Sequence, residues 1–348
     1  MIQLKSHQLD FHFEAGTSRG VLTNKTSYFL RIEQGGRAGI GEAGPLRGLS
    51  PEFEEDCTAR FKSILHGLPA IPETVADIPT FLENIPFHFP SLRMAMEMAL
   101  IDWVQGGNGQ YFNNSFSTKE TPIAINGLIW MGNPAFMRKQ IDAKLAEGYT
   151  CLKLKIGAID FEQEIEILRD IRSRYSATDL IIRVDANGAF SINEAKGKLQ
   201  RLADFDLHSI EQPIEAGQWE AMHDLCRENI LPIALDEELI SIENRSALLR
   251  LIKPPYIILK PSLLGGFHAT RCWISAAEEL GIDWWITSAL ESNIGLQAIA
   301  QFCASCNNPL PQGLGTGQLY TNNFESGLYI QQGNIFQKTG VQRATPFD

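Results

Sequence analysis

Long apolar runs, positive charge and cysteine are all scarce in this chain of 348 residues. No stretch approaches the ~18 apolar residues that cross a bilayer, and the opening Met-Ile-Gln-Leu-Lys-Ser-His-Gln lacks the apolar core of a secretion signal. We therefore expect a cytoplasmic protein with no membrane partner. Lys and Arg number 30 against 41 Asp and Glu, a net charge of −11, and no basic run breaks the deficit, which argues against nucleic acid as a partner. The six cysteines, at 57, 151, 226, 272, 303 and 306, are too scattered for a disulfide framework. Cys303 and Cys306 do form a C-x-x-C, but they fall in an apolar helical pattern with Leu296, Ile299 and Ala300, so packing is their expected role. The seven histidines show no ligand spacing.

What is present is ordinary for a globular protein: 44% hydrophobic and 20% charged residues, in a chain long enough for two domains. Residues 1–120 read as an α+β unit. Residues 27–32 favour a strand, Gly35-Gly36 a hairpin turn, and Ser50-Pro51 opens a helix with the stripe Phe53, Cys57, Phe61 and Ile64. A second, very apolar helix is predicted over 91–104. Gly39-Ile40-Gly41-Glu42-Ala43-Gly44 looks like a phosphate loop, but Pro45 follows where a helix should begin, so no nucleotide role is expected. From 121 onward short apolar runs alternate with helical faces such as Phe161, Ile165, Leu168 and Ile171, and Ser191-Ile192-Asn193-Glu194 reads as a capping box. The first of these strands is predicted over 121–126.

Between residues 150 and 261 five charged groups recur, each at the end of an apolar run: Lys153-Leu154-Lys155, Asp185, Glu211, Asp236 and Lys260. From Lys155 the steps are 30, 26, 25 and 24 residues, about one strand plus one helix each, the repeat of a parallel β/α barrel. Strand ends of such a barrel open on one face, so these groups converge on one pocket. Three carboxylates at close range repel, and a hard divalent cation with oxygen ligands is the ordinary way to hold them. Asp185, Glu211 and Asp236 are therefore read as a metal site. A nearby cation and partial burial lower a lysine's pKa from its usual ~10.4. Lys155 could then take a proton next to a carboxylate while the metal holds the resulting enediolate. Lys153 shares that face two residues earlier and supports Lys155 electrostatically, and Lys260 closes the site from the other side. Asn187 stays open between turn former and partner of the site, Gln212 and Pro213 read as turn or packing residues, and Glu237 points away if its strand continues. Trp284 and Trp285 should pack on opposite faces of their strand. Any one of these charges could be a solvated strand end; the set of five is specific.

At these residues the chain resembles the enolase superfamily, specifically its muconate-lactonising subgroup, whose pattern is Lys-x-Lys, then Asp, Glu and Asp ligands, then a second Lys. The resemblance implies an α/β fold: a modified TIM barrel, (β/α)7β, over 121–316, an N-terminal α+β capping domain over 1–120, and a segment 317–348 that returns to the cap. It also implies Mg2+, with Mn2+ possible, and a small carboxylate substrate, and leaves the oligomeric state open. Thr17-Ser18-Arg19-Gly20-Val21-Leu22, Gly41-Glu42-Ala43-Gly44-Pro45-Leu46, Thr287-Ser288-Ala289-Leu290-Glu291-Ser292-Asn293-Ile294-Gly295 and Gly313-Leu314-Gly315-Thr316 narrow the likeness. They are similar to the branch that removes water from a succinylated hydroxycyclohexadiene carboxylate in menaquinone synthesis, a carbon–oxygen lyase reaction driven by aromatisation.

Carried over, Lys155 becomes the single acid/base and Lys260 a stabilising cation. Arg183 helps set the charge around the site, Ser288 and neighbouring backbone amides at the seventh-strand end receive the succinyl carboxylate with Gly315 and Thr316 nearby as substrate-binding residues, and the loop at Ser18 and Arg19 forms a lid. Dipeptide epimerases and N-succinylamino acid racemases of the superfamily share the ligands and both lysines and form the alternative. The epimerases carry an acid near the eighth strand, where this chain has Gly313-Leu314-Gly315-Thr316. A Schiff-base lyase would leave the three carboxylates unexplained; it and a noncatalytic metal-binding protein are the remote alternatives.

Overall fold

The structure is a computed structural model and describes residues 1–17 and 20–348, so the predicted lid residues Ser18 and Arg19 lie outside the described residues. Strands β1 (Ile2–Thr17), β2 (Gly20–Gln34) and β3 (Arg37–Ala43) form an antiparallel sheet in that order. Gly35 and Gly36 both take positive φ between the paired Gln34 and Arg37, which is the two-residue turn the sequence suggests.

Helix α1 spans Thr58–His66 and α2 spans Pro90–Val104. The helix predicted from Ser50 thus begins later; the Ser50 hydroxyl instead accepts from the Leu46 N–H at 2.9 Å and closes a turn. α2 is buried almost throughout and lies directly on β3, where a Cβ on Gly41 would stand 1.8 Å from the Ala95 carbonyl oxygen. The apparent phosphate loop is therefore a strand whose glycines let a helix approach.

The parallel sheet runs β5 (Gly127–Ile129), β6 (Cys151–Lys155), β7 (Ile181–Asp185), β8 (Ser209–Glu211), β9 (Ile233–Leu235), β10 (Tyr256–Leu259) and β11 (Asp283–Ile286), each strand beside its predecessor. Helices α3 (Pro134–Ala146), α4 (Phe161–Arg174), α5 (Ile192–Ala203), α6 (Trp219–Glu228), α7 (Arg245–Ile252), α8 (Phe267–Glu278) and α9 (Asn293–Ala304) alternate with them. Bridges Thr287↔Gly313 and Ile125↔Gln312, both parallel, bring an eighth extended segment between the two ends and close the ring. This is the (β/α)7β barrel.

Its first strand differs from expectation. β4 (Ile123–Ala124) leaves the barrel to pair with β13 (Asn334–Gln337), which forms a hairpin with β12 (Leu328–Gln331). Only from Gly127 does the chain run beside β6. Ser191 caps α5 by half: its hydroxyl bonds Glu194 at 2.6 Å but makes no bond to the helix backbone.

Trp285 packs inside the barrel with Ala234 and Ile258 while Trp284 joins the outer core, as strand alternation requires. The chain's last segment reaches back to the first sheet and α2. Tyr320 bridges Phe11, and the buried Arg343 guanidinium bonds Asp102 of α2 at 2.6 Å. Among the described residues no helix is long and apolar enough to cross a membrane.

Candidate active site

Strand register builds the site. Lys155 pairs with Asp185 and Asp185 with Glu211, so three neighbouring strands deliver these groups to one rim at one level. Asp236 and Lys260 follow directly on β9 and β10 and extend the same rim. Lys153 lies one inward-facing position deeper than Lys155.

The charges interleave. Lys153 Nζ bonds Asp185 Oδ2 at 3.0 Å and also contacts Glu211 Oε2. Lys155 Nζ reaches Asp185 Oδ2 at 3.1 Å and Asn187 Oδ1 at 2.7 Å. Lys260 Nζ contacts Asp236 Oδ2 and stands 4.0 Å from Glu211 Oε1. Burial by itself would raise the Asp185 carboxyl, but Lys153, Lys155 and Lys260 together hold it far below its usual range. For Asp236 burial again opposes, and Lys260 and Lys153 prevail to lower it. Glu211 goes the other way: burial, reinforced by the Asp185 charge, pushes it well up. Burial would lower Lys153 and Lys260, yet the surrounding acids raise both and keep them cationic.

Ammonium groups, then, stand between the acids that the sequence reading gave to a metal. Among the described residues no group of three or more Asp, Glu, His or Cys side chains is disposed to hold an ion as it stands. The residues nonetheless fit a divalent cation. All three carboxyl groups are buried, each offers only acceptor oxygens once ionised, and Glu211 Oε1 is buried with no hydrogen-bond partner. A cation displacing an ammonium would satisfy that oxygen.

Three residues that the sequence reading left aside shape the site. Asn187, at φ 45°, accepts from Lys155 and donates from Nδ2 to Glu237 Oε1 at 3.0 Å, so it orients the lysine. Glu237 does not alternate outward, because β9 stops at Leu235 and a short 3-10 turn begins after Asp236. Gln212 is fully buried: its Oε1 accepts from the Asp236 N–H at 3.2 Å and its Nε2 donates to Glu238 at 3.0 Å, which fixes the turn carrying Asp236. The abrupt end of a strand in Asp-Glu-Glu was the available signal.

These groups open into a cavity of about 230 Å³. Lys153, Lys155, Asp185, Asn187 and Lys260 form one side of it; Ser288, Gly315 and Thr316 line another. The Ser288 and Thr316 hydroxyls lie 2.6 Å apart. Leu22, Leu128, Trp130 and Leu290 supply apolar wall, and the segment 46–49 closes the cap side. Arg183 is not part of this lining. Two residues before Asp185, its side chain lies deeper in the barrel, donating to the Pro311 carbonyl at 2.7 Å and stacking 3.9 Å above the Trp285 ring.

A buried lysine and carboxylate rim on a (β/α)7β barrel defines a class, and the sequence matches it: residues 137–340 fit the family described as enolase C-terminal domain-like, and the chain belongs to that family. It is 49% identical to the o-succinylbenzoate synthase of Desulfotalea psychrophila, over 95% of this chain and 97% of that one. The crystal structure of MenC from the same organism superimposes with a TM-score of 0.83, at 46% identity, covering 96% and 99% of the two chains. The N-succinylamino acid racemase of an Amycolatopsis species is 25% identical over 97% of this chain and 92% of its own.

Proposed function

We propose that this chain is an o-succinylbenzoate synthase, a hydro-lyase that converts 2-succinyl-6-hydroxy-2,4-cyclohexadiene-1-carboxylate to 2-succinylbenzoate and water. The observation that carries the reading is 49% identity to a synthase across nearly the whole of both chains. Lys155 removes the ring proton beside the carboxylate and returns it to the departing hydroxyl on the same side. The C–H and C–O bonds break, a ring double bond forms, water leaves, and the aromatic product needs no oxidant. One residue can serve both steps, as neutral amine first and as ammonium after it has taken the proton, because Asn187 and Asp185 hold its Nζ in place while Lys155 lines the cavity.

Lys260, kept cationic by Asp236 and Glu211, offsets the extra negative charge that deprotonation puts on the substrate carboxylate. Lys153 does the same from beneath. Asp185, Glu211 and Asp236 would hold Mg2+, or Mn2+, which supplies further positive charge at that carboxylate. Ser288, Gly315 and Thr316 border the succinyl arm, with Ser18 and Arg19 as part of a lid. We assign 1–120 with 317–348 to a cap and 121–316 to the catalytic barrel. The setting is the cytoplasm, where six unpaired thiols stay reduced, and the pathway is menaquinone synthesis.

A second reading, epimerisation of dipeptides or racemisation of N-succinylamino acids, has the racemase likeness in its favour. Dipeptide chemistry also calls for an acid to hold the substrate ammonium. Asp185 is the acidic side chain in the described lining, and Lys153 and Lys155 already bind it.

One assay decides: purified enzyme, the cyclohexadiene acid, and beside it a panel of dipeptides and N-succinylamino acids. Turnover of the cyclohexadiene acid, abolished by EDTA and restored by Mg2+, is the expected result. Turnover of the panel alone would replace the synthase with the second reading.

A further inference from the structure

The proposed substrate is a dianion. One carboxylate sits on the carbon that loses its proton, and the lysine cluster answers it. The other ends the succinyl arm, and the neutral Ser288–Thr316 pair answers it poorly. Those hydroxyls are 2.6 Å apart, and Ser288 Oγ also donates to the Gly313 carbonyl at 3.4 Å. These groups are neutral, and in the described lining this wall brings no cation to balance the charge at the end of the arm.

The cap supplies what this wall lacks. Arg47 lines the same cavity between Leu46 and Gly48, and in the described lining it is the cation that lies outside the lysine cluster. Its guanidinium now pairs with Glu55 and lies 5.4 Å from the Phe53 ring. Both side chains of that pair are mostly in water, 66% and 75% exposed, so the pair contributes little to stability and exchanging its partner costs little. A carboxylate arriving among Leu22, Leu46, Leu49 and Leu290 meets the same planar fork in a drier place. There a two-pronged charged hydrogen bond is stronger.

The geometry points to Arg47 as the residue that binds the substrate's second carboxylate, releasing Glu55 and drawing the 46–49 segment over the cavity. This deepens the synthase reading and rests on it. It makes Arg47 a selector for acids with a second carboxylate at arm's length, and Glu55 a built-in competitor with the substrate.

The test uses the Mg2+-loaded enzyme and two ligands, 2-succinylbenzoate and 2-butyrylbenzoate, which keeps the keto arm but lacks the terminal carboxylate. Arg47→Met should weaken binding of 2-succinylbenzoate by roughly 10- to 100-fold, measured by calorimetry, and leave 2-butyrylbenzoate within about twofold. KM for the cyclohexadiene acid should rise by a similar factor while kcat stays within about threefold, and Arg47→Lys should recover part of the loss. Glu55→Gln should move KM the opposite way, down by roughly twofold. Equal weakening of both ligands, or no weakening of the dicarboxylate, overturns the assignment. A wild-type enzyme that fails to turn over the cyclohexadiene acid sinks the synthase reading; one that succeeds, with Arg47→Met unchanged in KM, sinks the Arg47 assignment alone.

Discussion

The two arcs of the cavity rim are held together by different forces. From β6 round to β10 the rim is ionic: three lysines interleave with three buried acids, and each ammonium touches at least one carboxylate. From β11 through Gly313 to β5 it is neutral. Thr287 Oγ1 donates to the Gly313 carbonyl at 2.8 Å, the Ser288 and Thr316 hydroxyls share a hydrogen, and Trp130 and Leu290 complete the wall by apolar contact. Buried charges survive only as a balanced set, because removing one strands its partner in a poorly solvating interior. Neutral contacts can be exchanged one at a time. On the proposed reading, reaction chemistry sits on the arc that resists change and substrate choice on the arc that tolerates it.

The comparison breaks most visibly at Lys155. Lys155→Ala should lower kcat by roughly 10³- to 10⁴-fold while leaving KM within a few-fold, as expected for loss of a positioned acid/base. Steady-state kinetics, with wash-in of solvent deuterium at the ring carbon as a second readout, checks this. A loss below tenfold would mean that the ionic arc does not hold the base.

Next in size is the tie from the first sheet to the neutral arc. Lys25 of β2 is 6% exposed, and its Nζ donates to the Leu290 carbonyl at 2.7 Å and the Ala289 carbonyl at 3.3 Å. Tyr320 donates to the same Leu290 carbonyl at 2.7 Å, and Leu290 takes φ 65°, a conformation this residue type rarely adopts. Burial lowers the Lys25 ammonium, partly offset by the charges of Glu291 and Glu42. Lys25→Met should cost roughly 2–3 kcal/mol in urea unfolding, since it removes two bonds and leaves two buried acids without their cation. It should raise KM more than it lowers kcat, because the wall it releases belongs to the neutral arc.

The ionic arc was legible in the sequence because strand register makes it so. Each charged group ends a β/α unit, and a parallel sheet converts equal spacing along the chain into adjacency in space. Lys155, Asp185, Glu211, Asp236 and Lys260 could be named without coordinates for that reason. Their contacts could not. Nothing in the spacing says that Lys153 reaches past its own strand to Glu211, or that ammonium groups stand between the acids.

The neutral arc was less legible because it is assembled from distant, nonperiodic segments. Its neighbours on the cap side are no more periodic: Arg47 comes from a turn just before the helix start predicted at Ser50, and Lys25 from the middle of a strand. Arg183 stands outside the cavity lining for a simpler reason. Two residues before Asp185, it points to the same inner face but two steps deeper, about 6–7 Å along a strand, which puts it under the site rather than in it. The first barrel strand was placed too early because the C-terminal hairpin, more than 200 residues on, captures Ile123 and Ala124.

A smaller effect should sharpen the ionic arc. Asn187 holds Lys155 through one hydrogen bond at 2.7 Å, and it sits at positive φ. Asn187→Ala removes the bond and strains the backbone; Asn187→Gly removes the bond and accepts the backbone. If orientation of the lysine is the role, both should lower kcat by roughly tenfold. Recovery of kcat in the glycine variant alone would reduce Asn187 to a turn former.

The smallest effect concerns the seam between α2 and the barrel, outside both arcs. Glu97 of α2 accepts from the Phe267 and His268 N–H groups at 2.6 and 2.9 Å, at the start of α8. Burial pushes its carboxyl up to about 7, more than those two bonds pull it down. A carboxyl that binds its proton more tightly when folded stabilises the fold fully below its unfolded value near 4.5, and that contribution is lost as pH rises through about 7. Glu164, which accepts from the Gly157 N–H at 2.6 Å just past Lys155, is raised to about 7 by burial and acts in the same direction. Urea unfolding of the wild type should therefore show stability declining between pH 5 and 7.5 by on the order of 1 kcal/mol for each of these groups. Glu97→Gln should flatten part of that decline and Glu164→Gln another part, with kcat at pH 7.5 untouched by the first. An unchanged slope in the Glu97 variant would mean that the seam binds its carboxylate ionised across the whole range, and that the two N–H groups of α8 outweigh burial.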